Sequence, residues 1–261
     1  MSQKRRIFTI TAGRTGTAWL ADLFSGNLEC HCIHEPLEVF DFGVSMPDIR
    51  ILRAFNEYGN CDAVREFWER KIGLIEQHDC YIETNHTLAK CGLIENIADS
   101  AIAGDTTIVN LRRNKVKQCV SYIVRNDFNN MTLIWQWFLH PGYRKKIINP
   151  EPFFAIGQIG MIVWYIFEIE ARQVYYKKKF GAKLKFVDAD LEVITTEKGA
   201  REFWDRLGLT GEITLPPPAN RTEGAPPPPA LVDQITQVFA AINFDAETIV
   251  DAFIESGASL A

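Results

Sequence analysis

The chain has 261 residues, 47% hydrophobic and 23% charged, with 28 Lys and Arg against 33 Asp and Glu for a formal charge of −5. A chain of this length buries most of its unfolded surface in one or two domains without crosslinks, and its composition excludes collagen, coiled coil and wholesale disorder. The acidic balance argues against a broad nucleic-acid-binding face, but a small anionic ligand can still be held by local arginines and a helix N-terminus.

Arg6–Thr11 reads as a short β-branched strand bounded by Gly13. From Thr17, the residues Trp19, Leu20, Leu23 and Phe24 follow helical spacing, with Gly26 as the expected C-cap. A second strand fits Glu29–His34 and ends at Glu35-Pro36, after which Val64, Phe67, Trp68, Ile72 and Ile75 form one face of a helix. Cys80–Thr84 and Thr106–Leu111 are further strands, separated by a helix around Cys91–Ala103. Val116–Asn126 and the strongly apolar Ile156–Tyr176 are predicted helical, Leu184–Asp188 a strand, and Thr196–Leu207 a helix capped by Thr195 or Thr196. Strands alternating with helices predict an α/β fold with a central parallel sheet flanked by helices. Residues 215–229 hold seven prolines, a loop or semi-rigid connection to C-terminal helices near Leu231–Ile242 and Ala246–Ser256. The simplest account is one domain over 1–261 with a helical appendage at 230–261.

The six cysteines, at 30, 32, 61, 80, 91 and 119, are too sparse for a disulfide scaffold and are expected to be reduced. The basic start Lys4-Arg5-Arg6 is followed by an apolar stretch of only four residues, Ile7–Ile10, too short for a signal peptide. Phe153–Phe167, at 15 residues, is shorter than the ~20 needed to span a bilayer. The expectation is a soluble cytoplasmic protein. On a strand, Cys30, Cys32 and His34 share one face and have metal-ligand character, but a buried sheet strand uses cysteine as a small hydrophobe, so no metal is expected. Lys177-Lys178-Lys179 ends a long helix, where cations suit the dipole, and reads as a solvated face.

The first strand runs through Thr11-Ala12-Gly13-Arg14-Thr15-Gly16-Thr17-Ala18-Trp19 into a helix. A strand, a glycine-punctuated turn and a helix N-terminus form an anion site, to which Arg14 adds a donor fork and Thr15 and Thr17 add hydroxyls. A nucleotide-hydrolysing P-loop needs a Lys before a hydroxyl residue, and this turn has none, which disfavours an ATPase or kinase. A second candidate contact follows the fourth strand, where Arg113 stands eight residues before Ser121. Ligands of open α/β sheets bind at such carboxyl ends, and an Arg and a hydroxyl there suit a second phosphate.

Together the two motifs resemble the sulfotransferases that use 3′-phosphoadenosine 5′-phosphosulfate (PAPS). Arg14-Thr15-Gly16-Thr17-Ala18-Trp19 matches the family's 5′-phosphosulfate loop, and Arg113-Asn114 with Ser121-Tyr122 matches its 3′-phosphate motif. His34-Glu35-Pro36-Leu37 is similar to a segment of carbohydrate sulfotransferases, and Val187–Leu191 and Phe203–Leu209 resemble later family segments. The resemblance covers roughly Arg6–Leu209 and implies a P-loop-like sulfotransferase fold. The lid string of the cytosolic branch is absent; Asn220-Arg221-Thr222-Glu223-Gly224 stands in a comparable place and offers Arg221. That branch's dimer motif is absent too, and the oligomeric state stays open.

The resemblance implies sulfuryl transfer from PAPS to a hydroxyl or amine of a small-molecule or carbohydrate acceptor, with adenosine 3′,5′-bisphosphate (PAP) as product and no metal, nucleic acid or membrane partner. Gly13, Arg14, Thr15, Gly16, Thr17, Ala18, Trp19, Arg113, Ser121 and Arg221 are the expected donor contacts. The general base is Glu35 or His86, of which Glu35 is the better local match. Trp135, Trp137 and Phe138 either line the acceptor pocket or pack in a core or lid. The alternatives are a non-catalytic nucleotide-binding or regulatory domain and a divergent nucleotide kinase.

Overall fold

The computed structural model describes residues 4–128, 137–217 and 226–261. Strand β1 (Arg5–Ile10) is almost wholly buried because it is the middle strand of the sheet. It pairs in parallel with β3 (Cys80–Thr84) on one side and β4 (Thr106–Arg112) on the other. β2 (His31–His34) and β5 (Lys185–Asp190) form the edges, giving the parallel order β2-β3-β1-β4-β5. The chain first builds outward from β1 to β2 and then crosses to the other side with β4. The carboxyl end of β1 is therefore the switch point where open α/β sheets bind ligands.

The alternation of β1 sends Ile7 to one face and Phe8 and Ile10 to the other. Ile7, Val109 and Val187 pack under α1 (Thr17–Asn27), together with Phe203 and Trp204 of a later helix. Phe8, Ile10 and Ile108 face a larger core. That core includes residues of α2 (Ile49–Tyr58), α3 (Asp62–Ile75), the short α4 (Leu93–Ala98), α5 (Lys115–Val124) and α6 (Gly157–Phe180). α6 is buried nearly all round from Gly160 to Tyr176, which explains why its sequence is apolar without a polar stripe. After β5 come the one-turn helix Leu191–Ile194 and α7 (Glu197–Leu207), the latter capped by Thr196 Oγ1 accepting from Gly199 N at 3.1 Å. The last helices, α8 (Pro229–Ala241) and α9 (Ala246–Glu255), place Ile235 and Val250 in the larger core.

Several sequence expectations need correction. α1 runs through Gly26 to Asn27 and ends at Leu28, so Gly26 is not its cap. Within Cys91–Ala103 the α-helix is only α4: Gly92, at φ 80°, stands before its first residue, and the helix ends at Asp99, whose backbone leaves the helical region. α2, not expected from the sequence, starts at an Asp48 cap that accepts from Arg50 N and Ile51 N. The segment around Cys30 is part of an exposed edge rather than a buried strand. Nor are all thiols free: Cys30 and Cys80 form a disulfide with Cα atoms 4.9 Å apart, leaving Cys32, Cys61, Cys91 and Cys119 unpaired. The edge-strand face of Cys30, Cys32 and His34 therefore does not present three metal ligands. The lysines at the end of α6 do lie on an exposed face, where Lys177 pairs with Asp188 at 2.7 Å and Lys178 with Asp251 at 2.6 Å. Among the described residues no helix is long and apolar enough to cross a membrane.

Candidate active site

The turn after β1 needs its glycines. Gly13 and Gly16 adopt φ 90° and 83°, in the left-handed region. A Cβ on Gly16 would lie 2.5 Å from Leu191 Cδ1, and one on Gly13 would press on His86 and the Tyr122 hydroxyl at 3.2 Å. The carbonyls of the turn are held from several elements. Tyr122 and Tyr165 donate to Ala12 O at 2.5 and 2.7 Å, Gln118 Nε2 to Gly13 O at 2.6 Å, and Arg113 to Arg14 O at 3.0 Å. Such anchoring fixes a turn whose ligand contacts would otherwise cost ordering entropy. Thr15 turns inward, its Oγ1 2.6 Å from Thr11 Oγ1, so it braces the turn and does not line the large cavity.

The two sequence motifs converge. Arg14 Nε donates to Ser121 Oγ at 3.0 Å, so the pair of phosphate contacts read separately from the sequence share one wall. Along α5, Lys117, Ser121 and Arg125 (the last just past the helix end) repeat every four residues and all border the same cavity. That stripe is the sequence signal by which Lys117 and Arg125 could have been found. Burial, and then the neighbouring Arg125, lower the pKa of Arg14, which keeps its charge at neutral pH.

Opposite this cationic wall, His86 Nδ1 lies 2.7 Å from Glu35 Oε1. Glu35 stands at φ 44°, a conformation that costs energy for a residue with a Cβ and aims its carboxylate inward from the edge strand. Burial favours the neutral acid, but the hydrogen bond and charge of His86 more than offset it and hold the carboxyl at about 2. Burial and the nearby Lys90 lower the pKa of His86 against the opposing pull of Glu35. The arrangement is therefore a carboxylate accepting from Nδ1–H of a neutral ring. His86 Nε2 carries the lone pair and is buried without a hydrogen-bond partner.

These residues border a cavity of about 970 Å³. Gly13, Arg14, Gly16, Thr17, Ala18, Trp19, Arg113 and Ser121 line it together with Glu35 and His86. Trp19, whose indole donates to Pro216 O at 3.2 Å, and Leu191, Pro226, Pro227 and Val232 also line it. Phe138, whose ring lies 5.8 Å from that of His86, and Asp127 line it as well. Phe138 thus faces the cavity, whereas Trp137 packs on the core and its carbonyl accepts from Lys90 at 2.7 Å. Asp127 was not found from the sequence. Arg221 and Trp135 lie outside the described residues.

No protein-family model matches this chain, and no curated protein does. Among solved structures, a sulfotransferase from Alicyclobacillus acidocaldarius aligns over 97% of this chain and 96% of that chain, with 14% identity and a TM-score of 0.49.

Proposed function

We propose that this chain transfers a sulfuryl group from PAPS to a hydroxyl or amine of a small-molecule or carbohydrate acceptor. One observation carries the reading: a lysine-free phosphate turn and a second Arg–Ser pair border the same cavity as a carboxylate–histidine pair. The first half suits a donor with phosphates at two positions, and the second suits removal of a proton from an acceptor.

In this reading the donor lies against Arg14, Arg113, Lys117 and Ser121, with the helix N-terminus at Thr17 beside the leaving 5′-phosphate. The acceptor oxygen or nitrogen attacks sulfur in line, the new bond to sulfur forms as the sulfur–oxygen bond to the 5′-phosphate breaks, and PAP leaves with the electron pair. His86 Nε2 takes the acceptor's proton. Glu35 holds the ring tautomer and stabilises the imidazolium formed. A neutral imidazole, its pKa lowered by burial, is a better base at neutral pH than a carboxylate held at about 2, which supports His86 as the proton acceptor with Glu35 positioning it.

The test is calorimetric titration with PAP beside ADP and ATP, with and without Mg²⁺. Tight binding of PAP alone supports the reading, and transfer from labelled PAPS completes it. Preference for ATP or ADP with Mg²⁺ overturns it in favour of a kinase, and binding of PAP without transfer to any acceptor leaves a nucleotide-binding domain.

A further inference from the structure

The acceptor end of the cavity carries a second carboxylate for which the proposed transfer step has no use. Asp127 follows α5 and is 9% exposed, yet it borders the cavity. Its backbone N–H donates to Tyr122 O at 3.0 Å, and its Oδ2 lies 3.3 Å from Arg125 Nε. The segment is held there at a cost. Among the described residues, the non-glycine positions with positive φ are Arg14, Glu35, Asn126 and Phe128. The first two line the cavity, and the last two flank Asp127. Phe128, at φ 70°, is a bulky residue in a conformation that such residues avoid. It is kept there by stacking on Phe138 at 4.7 Å and by an edge contact with Tyr122 at 5.2 Å. Positive φ on both sides of one carboxylate, in the wall of the cavity, sets this segment apart as one held in place beside the site.

We infer that Asp127 is an acceptor-recognition residue and that the acceptor is a non-anionic polyol or amino alcohol, with a second hydroxyl or ammonium donor beside the group that is sulfated. This rests on the sulfuryl-transfer reading and names its acceptor class. The chemistry follows from the lining. Glu35 and Asp127 are both hydrogen-bond acceptors when ionised, and His86 Nε2 is a third. With the donor in place, Arg14, Arg113 and Lys117 face its phosphates, and Arg125 is paired with Asp127. An acidic acceptor would meet two carboxylates without a free counter-charge, whereas a polyol or amine supplies the donors they need. Phe138 adds an apolar face for the carbon skeleton. A simple hydrophobic alcohol would cover the Asp127–Arg125 pair and exclude its water without offering a hydrogen bond in return, which disfavours analogues lacking a donor.

The experiment measures binding of methyl α-glucopyranoside, glucosamine, glucuronic acid and 2-naphthol to the protein saturated with PAP, by ligand-observed NMR, for the native chain and Asp127→Asn. The expected result is binding of the first two, at least about tenfold weaker glucuronic acid, and a loss of about tenfold or more for glucoside and glucosamine in Asp127→Asn. PAP affinity should not fall in Asp127→Asn, since the change removes a negative charge near Arg14. The larger loss should fall on glucosamine, whose ammonium loses a charge partner. Arg125→Ala, which removes the partner of Asp127 without altering its carboxylate, serves as a second variant and should tighten glucosamine. Glucuronic acid or naphthol binding best, no sugar binding at all, or weakening of PAP in place of the sugars would each overturn the inference. If PAP itself does not bind the native protein, it is the sulfuryl-transfer reading that fails.

Discussion

His86 and Glu35 stand 51 residues apart in sequence, yet their side chains meet at 2.7 Å because β2 and β3 pair with His34 opposite Thr84. The residues just past the ends of two adjacent parallel strands must emerge side by side. This register joins in one hydrogen-bonded pair two residues that the sequence offers as competing bases. Glu35→Gln should therefore lower kcat by about 10–100-fold, and His86→Asn by about 10²–10⁴-fold, with PAP affinity preserved in both. The double variant should be little worse than His86→Asn, since residues acting as a unit are not additive. Steady-state kinetics with labelled PAPS checks this; full activity in His86→Asn with loss in Glu35→Gln would make Glu35 the base.

The same pair sets the pH dependence. His86 accepts a proton only when neutral, and its pKa is lowered from 6.5 by burial and then by Lys90. The acid limb of kcat should thus lie below pH 6.5, with rate falling as pH drops through it. In Glu35→Gln the carboxylate that favours the protonated ring is gone, so the limb should move further down. A limb moving upward in that variant would contradict the assigned pairing.

The donor wall predicts a different signature. Hydrogen bonds to charged groups contribute about 1.5–3 kcal/mol, so Arg14→Ala and Arg113→Ala should each weaken PAP by about 10–100-fold in calorimetry. Arg113 also holds the carbonyl of Arg14 at 3.0 Å, and its loss should loosen the turn. Arg113→Lys, which keeps a charge but not the fork, should recover only part of the affinity.

Much of this arrangement was legible because it is local. β-Branched strands, glycines at Gly13 and Gly16, and the Arg113–Ser121 spacing each announce themselves within a dozen residues. What was not legible depends on partners far along the chain. The sequence His31–His34 does not say that the strand lies at an edge, and Cys30 does not say that it meets Cys80. Asp127 follows a helix end with no motif around it, and only the folded chain shows that it borders the cavity between two residues of positive φ. The apolar run of α6 hides its limits because nearly all its sides are buried, so the hydrophobic period that marks a surface helix is missing.

Glu95 gives a prediction about stability that does not involve the site. It lies in the first turn of α4, and its carboxylate is buried. Burial raises its pKa from 4.5 to about 7. Below pH 4.5 the acid is protonated folded or unfolded, and nothing is lost. Between 4.5 and 7 only the unfolded chain releases the proton, so stability falls as pH rises, and above 7 the penalty is complete. At about 1.4 kcal/mol per unit the full effect is on the order of 3 kcal/mol. Glu95→Gln should raise Tm at pH 8 and change it little at pH 5; an equal effect at both would show that ionisation is not involved.

The disulfide makes the final prediction, and it concerns the edge of the sheet. Cys30 precedes β2 and Cys80 opens β3, so the bond closes a loop with a sequence separation of 50 and fixes the start of a four-residue edge strand. Crosslinking a loop of that length removes unfolded-state entropy equivalent to about 4 kcal/mol. Protein denatured without reductant should show four reactive thiols, and six after reduction, since the chain has six cysteines and four are unpaired. Reduction or Cys30→Ser should lower the urea midpoint. Because the phosphate turn hangs from β1, PAP affinity should be nearly unchanged. Because β2 carries Glu35 at its far end, kcat should fall more than donor binding. An unchanged urea midpoint on reduction would mean that the pairing of β2 with β3 holds the edge without the crosslink.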